Sequence, residues 1–302
     1  MNNEKDQKNK KITLFLITEK GYEFLLGTCA TYKHLFELVV VGNDKLINND
    51  FEEKIIDLCL KENIKFKLKK DFKVIKTDYA IAVSWRWIIK HPYEKLIIFH
   101  DSILPKYRGF APLVNSLING ESEIGVTALL GAKLYDTGSI IAQSKTSITY
   151  PIKINEAIKI NNKNYIKCAN IVMEKILKDE KFELQEQVDS KATYSIWLDS
   201  EDYTINWNKS SEEIVRFIDA VGYPYTGAKT TFNSENIIIH EAIRVNDLTI
   251  ENRHNGKVIY VEDGMPVVVC GKGLLKILSA SVQNNGGLID FFPLPKFRIR
   301  FK

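Results

Sequence analysis

Ile12-Thr13-Leu14-Phe15-Leu16-Ile17 is a continuous apolar run of strand length, closed at once by the polar Thr18-Glu19-Lys20-Gly21. Residues 22–35 then carry apolar side chains at helical spacing, and Leu38-Val39-Val40-Val41 is a second strand of the same buried type, ended by Gly42-Asn43-Asp44. Strand runs too apolar to alternate, with a helix between them, predict a parallel α/β sheet covered on both faces. The pattern continues outward. A helix is expected over 51–62, a short strand near 64–66, buried strands at 79–83, 96–99 and 126–130, and helices over 112–119 and 155–177. The charged stretch 178–191 reads as a connector. From Ala192 the texture changes: after a helix at 210–221, short strand signals at 228–232, 236–241, 257–262, 267–270 and 274–280 are separated by turns such as Asp263-Gly264. That spacing predicts a small antiparallel barrel. The expected organisation is a disordered tail at 1–11, an α/β domain at 12–191 and a β-rich domain at 192–302.

Composition limits what such a chain can do. Its 302 residues allow two ordinary domains, and 45% hydrophobic content is that of a globular protein. A net charge of +4 is slight and spread along the chain, so no basic stripe for nucleic acid is evident. The basic concentration at the C-terminal end, Lys296, Arg298, Arg300 and Lys302, alternates with Phe297, Ile299 and Phe301 and reads as a half-exposed strand. Cys29, Cys59, Cys168 and Cys270 lie too far apart for a zinc or disulfide pattern, so no metal is expected and a reducing compartment fits. No apolar run reaches the length of a membrane span, and a cytoplasmic location is expected.

Ligands of open α/β sheets gather beyond the carboxyl ends of the strands. At one such end stands Phe99-His100-Asp101-Ser102-Ile103-Leu104-Pro105-Lys106-Tyr107-Arg108-Gly109-Phe110-Ala111-Pro112. A histidine directly after a buried strand is rigidly held and open to a crevice, which suits acid–base work. Ser102, Lys106, Tyr107 and Arg108 add donors in a loop shaped by Pro105 and Gly109. A second feature is Gly125-Val126-Thr127 followed by Asp136-Thr137-Gly138-Ser139. It can be a simple turn, or half of an aspartic-protease site. The latter requires two carboxylates sharing a proton, and the chain has no second copy.

These segments, taken together, resemble the formyltransferases, a family that includes methionyl-tRNA formyltransferases and amino-sugar N-formyltransferases. The resemblance rests on His100, Ser102, Ile103-Leu104-Pro105, Tyr107-Arg108-Gly109, Asn119-Gly120-Glu121, Gly125-Val126-Thr127 and Asp136-Thr137-Gly138, in order. It extends to Ile205-Asn206-Trp207 and Tyr223-Pro224-Tyr225-Thr226-Gly227-Ala228. It implies a Rossmann-like parallel-sheet domain and a smaller C-terminal OB-like barrel. It implies transfer of a formyl group from N10-formyltetrahydrofolate to an amine. His100 and Asp136 would be catalytic. Arg86, Trp87, Ile88 and Ile89 on one side, with Ala132, Tyr135 and Asp136 on the other, would hold the folate. Ser102, Lys106, Tyr107 and Arg108 would contact the acceptor.

Two positions depart from the family pattern. Ile98 replaces an asparagine and, two residues before His100 on a strand, should face the same site without a donor. Losing one oxyanion donor typically costs about a hundred- to a thousandfold in rate, and Asn115 and Ser84 are the side chains that could substitute. Asp101 replaces a proline or small residue. The acceptor is expected to be a small amine, a nucleotide-linked amino sugar, rather than tRNA: relatives acting on tRNA carry a basic inserted loop after the second strand. Here that segment offers only Lys45 before Leu46-Ile47-Asn48-Asn49. The other readings are a methionyl-tRNA formyltransferase and a formyltransferase-like binding protein with weakened catalysis. A homodimer is left open.

Overall fold

β1 (Ile12–Leu16) is buried along its whole length, as an unbroken apolar run in a sheet interior must be. It is followed by α1 (Thr18–Tyr32), β2 (Phe36–Val41), α2 (Glu52–Lys61), β3 (Phe66–Leu68), β4 (Tyr79–Val83), β5 (Leu96–His100) and β6 (Arg108–Gly109). Then come α3 (Pro112–Ile118), β7 (Glu123–Leu130), β8 (Ile140–Ser147), α4 (Ile154–Leu177) and β9 (Tyr194–Ser195). The computed structural model describes residues 10–44, 47, 49–284, 287–294 and 297–302. The expected tail lies outside these as far as Asn9. Lys11 already belongs to the fold: its amide donates to Asp78 (2.9 Å) and its Nζ to the His34 carbonyl (2.8 Å).

Contacts divide the chain into two units. The first holds residues to Leu113, then Glu123–Ser147 and Ile158–Ile196; the second holds Val114–Ser122, Ile148–Ala157 and Trp197–Lys302. In the first, seven strands run in the order β3-β2-β1-β4-β5-β7-β8. β3 to β5 are parallel, but β7 is antiparallel to β5 and β8 to β7. The expected parallel sheet is therefore present over five strands and is extended by two antiparallel ones into a mixed sheet. β8 was missed because its sequence, IIAQSKTS, alternates and is half exposed, as an edge strand is.

Helices cover one face. Phe24, Leu25, Ile55, Leu58, Tyr165 and Val172 pack there on Leu14, Val39, Ile81, Ile97 and Phe99. On the other face, Phe15, Val40, Ala80 and Ala82 are covered by Phe72, Ile75, Trp85 and Ile89, from the chain between β3 and β5. From β1 the chain winds first to β2 and β3, then to β4 and β5 on the other side. This reversal opens a crevice beyond the carboxyl ends of β1 and β4. Thr18 Oγ1 donates to Ser84 Oγ there at 3.1 Å. Thr18-Glu19-Lys20-Gly21, expected as a loop, is the first turn of α1.

The second unit contains α5 (Ser211–Val221), β10 (Ala228–Phe232), β11 (Glu235–Val245), β12 (Val258–Glu262), β13 (Met265–Val269), β14 (Leu274–Asn284) and β15 (Gly287–Asp290). α5 begins in a capping box in which Ser210 and Glu213 satisfy each other's backbone amides, and hydrogen bonding to Ser210 holds the Glu213 carboxyl down at about 2. The antiparallel order is β10-β11-β14-β13-β12, with β15 beside β14. The last residues close it. Val258 N donates to Ile299 O (3.1 Å) and Phe301 N to Gly256 O (2.9 Å), while Thr231 and Lys302 exchange two backbone bonds of 3.0 Å. Ile299 and Phe301 point into the core and Phe301 stacks on Trp207, while Arg298, Arg300 and Lys302 stay in water. Lys296, part of the same expected strand, lies outside the described residues.

Among the described residues no helix is long and apolar enough to cross a membrane, and no group of three His, Cys, Asp or Glu side chains could hold a metal ion. All four cysteines are buried and unpaired, and burial pushes the thiols of Cys59, Cys168 and Cys270 up to about 12.

Candidate active site

Leu96, Ile98 and His100 alternate along β5 and share the face opposite the helices. His100, only 7% exposed, ends the strand opposite Thr127 of β7. Its Nε2 lies 2.7 Å from the Tyr107 carbonyl, and its Nδ1 lies 3.6 Å from Asp136 Oδ2. A carbonyl only accepts, so Nε2 carries the proton. In the neutral ring Nδ1 is then a bare lone pair facing a carboxylate. The 3.6 Å between them leaves no space for another heavy atom on that line, so a proton arriving on Nδ1 would meet Asp136 directly. Asp136 Oδ2 is itself fixed by the Gly109 amide at 2.8 Å.

Leu130 lies opposite Ile97, so the loop after β7 must travel back along β5 to bring Asp136 to His100. Gly138 allows it: a Cβ there would lie 1.8 Å from the Leu130 carbonyl oxygen. Asp136 itself adopts a left-handed φ of 55°.

The loop after β5 is held by bonds that explain several motif residues. Thr127 Oγ1 donates to Ser102 O (2.7 Å) and accepts from Leu104 N (3.1 Å) and Gln143 Nε2 (2.9 Å). Ser102 Oγ donates to Lys106 O at 2.7 Å. Arg108 is 2% exposed; its Nη2 reaches Asp189 Oδ1 and Gln187 Oε1, both at 2.8 Å. Ser102 and Arg108, expected at the acceptor, are thus engaged inside the protein. Lys106 and Tyr107 keep surface exposure. Asp101 does not face the crevice as a free charge: it pairs with Lys20, and Asn161 donates to its Oδ1 at 3.4 Å.

The residues just after the connector, expected to open the β-rich domain but grouped with the first unit, supply what sequence reasoning missed. β9 pairs with β6, and Tyr107 N donates to Thr193 Oγ1 (2.9 Å), Arg108 N to Thr193 O (2.9 Å) and Phe110 N to Ser195 O (3.0 Å). Gly109 has φ +105°, and a Cβ would lie 2.4 Å from Ser195 O. The only local signal was the glutamine–serine–threonine content of a stretch otherwise charged.

The residues expected around the folate fall into two groups. Ile89 packs on the sheet, whereas Ile88 is 84% exposed. Trp85 and Trp87 meet edge to face at 4.9 Å above Gly42, and Lys69 Nζ lies 4.1 Å over the Trp87 ring. Arg86 pairs with the buried Asp44. Across the site, Tyr135 is exposed and sits 6.0 Å from Phe110, and Ala132 is half-buried. Ile98 packs on Leu104, Leu129 and Ile140 on one side and on the cluster of Phe15 and Ala82 on the other. Of the two substitute donors, Ser84 has its hydroxyl bonded to Thr18, and Asn115 falls in the segment grouped with the second unit. Lys45, Leu46 and Asn48 of the loop after β2 lie outside the described residues.

The chain thus joins a mixed α/β sheet with a histidine–aspartate pair at a strand end to a small closed barrel. Residues 43–163 match the family model for formyl transferase, and residues 198–287 match that for formyl transferase, C-terminal domain. The methionyl-tRNA formyltransferase of Pseudothermotoga lettingae is 30% identical over 236 residues, covering 73% of this chain and 74% of its own. The solved structure of WlaRD, a sugar 3N-formyl transferase in the presence of dTDP and 5-N-formyl-THF, aligns with a TM-score of 0.65 at 21% identity, over 89% of this chain and 97% of its own. An N-formyltransferase from Helicobacter canadensis in complex with folinic acid and dTDP-3-aminofucose gives 0.63 at 19% identity, over 89% and 98%. The chain belongs to the formyl transferase family, enzymes of folate-dependent formyl transfer.

Proposed function

We propose that the protein transfers the formyl group of N10-formyltetrahydrofolate to the amine of a nucleotide-linked amino sugar. The observation that carries this reading is the His100 ring held between the Tyr107 carbonyl, 2.7 Å from Nε2, and Asp136 Oδ2, 3.6 Å from Nδ1. The folate supplies the electrophilic formyl carbon on its N10. His100 takes the proton that the attacking amine sheds, at Nδ1, and Asp136 stabilises the imidazolium that results. The proton then passes to the leaving nitrogen, so charge balances over the cycle. Ile98 carries no donor for the developing oxyanion, so that charge has to be met by groups other than this side chain. The exposed side chains of Ile88 and Tyr135, with the Trp87 ring, fit a flat apolar ligand such as a pterin. Arg86 would orient it through its pairing with Asp44.

The acceptor class rests on different support. The alignments of WlaRD and the Helicobacter canadensis enzyme, and a sequence after β2 that offers only Lys45 as a basic residue, favour a sugar nucleotide. The relationship to methionyl-tRNA formyltransferases at 30% identity favours the second reading, initiator tRNA. Turnover of dTDP- and UDP-linked amino sugars, measured beside methionyl-tRNA with the same formyl donor, decides between them. Faster turnover of a sugar nucleotide is expected. Efficient tRNA formylation that falls steeply with added salt reverses the assignment.

A further inference from the structure

Gln187 lies in the stretch that looks like a connector, yet its carboxamide is used to capacity at the site. Nε2 donates to the carbonyls of Asp136 (2.7 Å) and Gly138 (2.8 Å). Oε1 accepts from Arg108 Nε (3.0 Å) and Nη2 (2.8 Å). An amide has two donors and two acceptor sites, so all four are filled. The bonds join two loops that come from different strands. Arg108 belongs to the loop that follows His100, and its neighbours Tyr107 and Gly109 bond the imidazole Nε2 and Asp136 Oδ2 respectively. The other loop is the Asp136-Thr137-Gly138 turn, whose left-handed φ of 55° at Asp136 gives it little stability of its own.

We propose that Gln187 is a positioning residue for formyl transfer, the bracket that sets the separation between His100 Nδ1 and Asp136 Oδ2. This rests on the catalytic roles assigned above to His100 and Asp136. The segment around it is built for the task. Gln185 exchanges backbone bonds of 2.8 and 2.9 Å with Ile140, fixing the chain two residues before Gln187, and two residues after it Asp189 accepts at 2.8 Å from the same Arg108 Nη2. A guanidinium that is 2% exposed, held by one amide and one carboxylate, makes a stiff strut rather than a tether. Removing the amide leaves two turn carbonyls and two Arg108 nitrogens without their partner, so the turn is free to drift. A displacement near 1 Å at such a pair can cost on the order of a hundredfold in rate.

The test uses the full chain and two variants. Gln187→Glu has the same size and keeps acceptors for Arg108, but sets a carboxylate against the two turn carbonyls. Gln187→Leu removes both functions. With N10-formyltetrahydrofolate and the best amine acceptor, kcat should fall about 10- to 100-fold in both variants, with KM for each substrate within about threefold. In nitrogen-15 spectra of histidine-labelled protein, the His100 ring signals should lose the single-tautomer pattern of the wild type, and this readout needs no substrate. Glu183→Gln, on the surface nearby and paired with Lys175, should leave rate and spectrum unchanged. Wild-type kcat and ring signals in Gln187→Glu, or equal damage from Glu183→Gln, overturn the proposal. Altered ring signals in a protein that formylates no amine would instead keep the bracket and refute the function.

Discussion

The two units put their left-handed residues in different places. In the second unit the non-glycine ones among the described residues are Asn233, Ser234 and Asp263, and all three sit in two-residue turns joining β10 to β11 and β12 to β13. Those are the residue types such turns favour. In the first unit positive φ falls on Phe51, Asn63 and Asp179 beside helix ends and, in the loops around the site, on Thr18 (63°), Ser84 (57°), Tyr107 (60°), Ala111 (46°) and Asp136 (55°). Most of these types adopt that conformation reluctantly. The barrel turns connect strands, and local chemistry suffices for them. The loops of the first unit aim side chains at a site, and the surrounding hydrogen bonds must hold them there.

Five measurements break or sharpen that contrast. His100→Ala should remove most of the activity, on the order of a hundred- to ten-thousandfold, with little change in melting temperature. Full activity in that variant would refute the mechanism. Next are two glycines of similar φ. Gly109→Ala meets the Ser195 carbonyl at 2.4 Å and should cost about 2–4 kcal/mol along with the activity, whereas Gly264→Ala meets nothing within 4 Å and should cost only about 1 kcal/mol. Equal costs in chemical denaturation would mean the site loop is no more constrained than a hairpin.

Ile98→Asn tests the apolar position beside His100. An amide set among Leu104, Leu129 and Ile140 should destabilise by about 1–3 kcal/mol. A faster enzyme despite that loss would show that the native site works without the missing donor and is slower for it.

The second unit has a pH response of its own. Burial, the main cause, raises the Asp219 carboxyl to about 6; Lys153 opposes this, and Glu241 and Glu156 reinforce it. The folded state therefore binds this proton more tightly than the unfolded chain does. The resulting stability is full at pH 4, declines as pH rises toward 6 and is gone above it. Asp219→Asn should flatten that slope in thermal melts and leave formyl transfer unchanged. The smallest effect is expected from Ala111→Gly. Relief of a left-handed alanine, offset by the greater freedom of glycine in the unfolded chain, should stabilise by about 0.5 kcal/mol, against nearly nothing for Asn233→Gly.

Much of the architecture was legible because hydrophobic periodicity is local. β4 and β10 lie within the expected bounds, and α4 begins one residue early. The alternation of Ile299 and Phe301 with Arg298, Arg300 and Lys302 carried through to a buried and an exposed side. β8 was not legible, since half its residues face water, and neither was the first turn of α1, where a string of polar residues hides the buried Lys20.

The sequence by itself determined the strand-and-helix alternation and the change to a barrel, and it singled out His100 and Asp136 as candidates, because each is written in adjacent residues: an unbroken apolar run, a turn pair, a motif. Only the tertiary structure decided that Arg108 and Ser102 are inward-facing supports, that Asp101 is neutralised by Lys20, 81 residues earlier, and that Gln187 meets Asp136 51 residues away. A polar side chain has no periodic signature of its role. Whether it meets solvent, substrate or a distant carbonyl depends on which segments the folded sheet brings alongside it, and no neighbour in the chain encodes that.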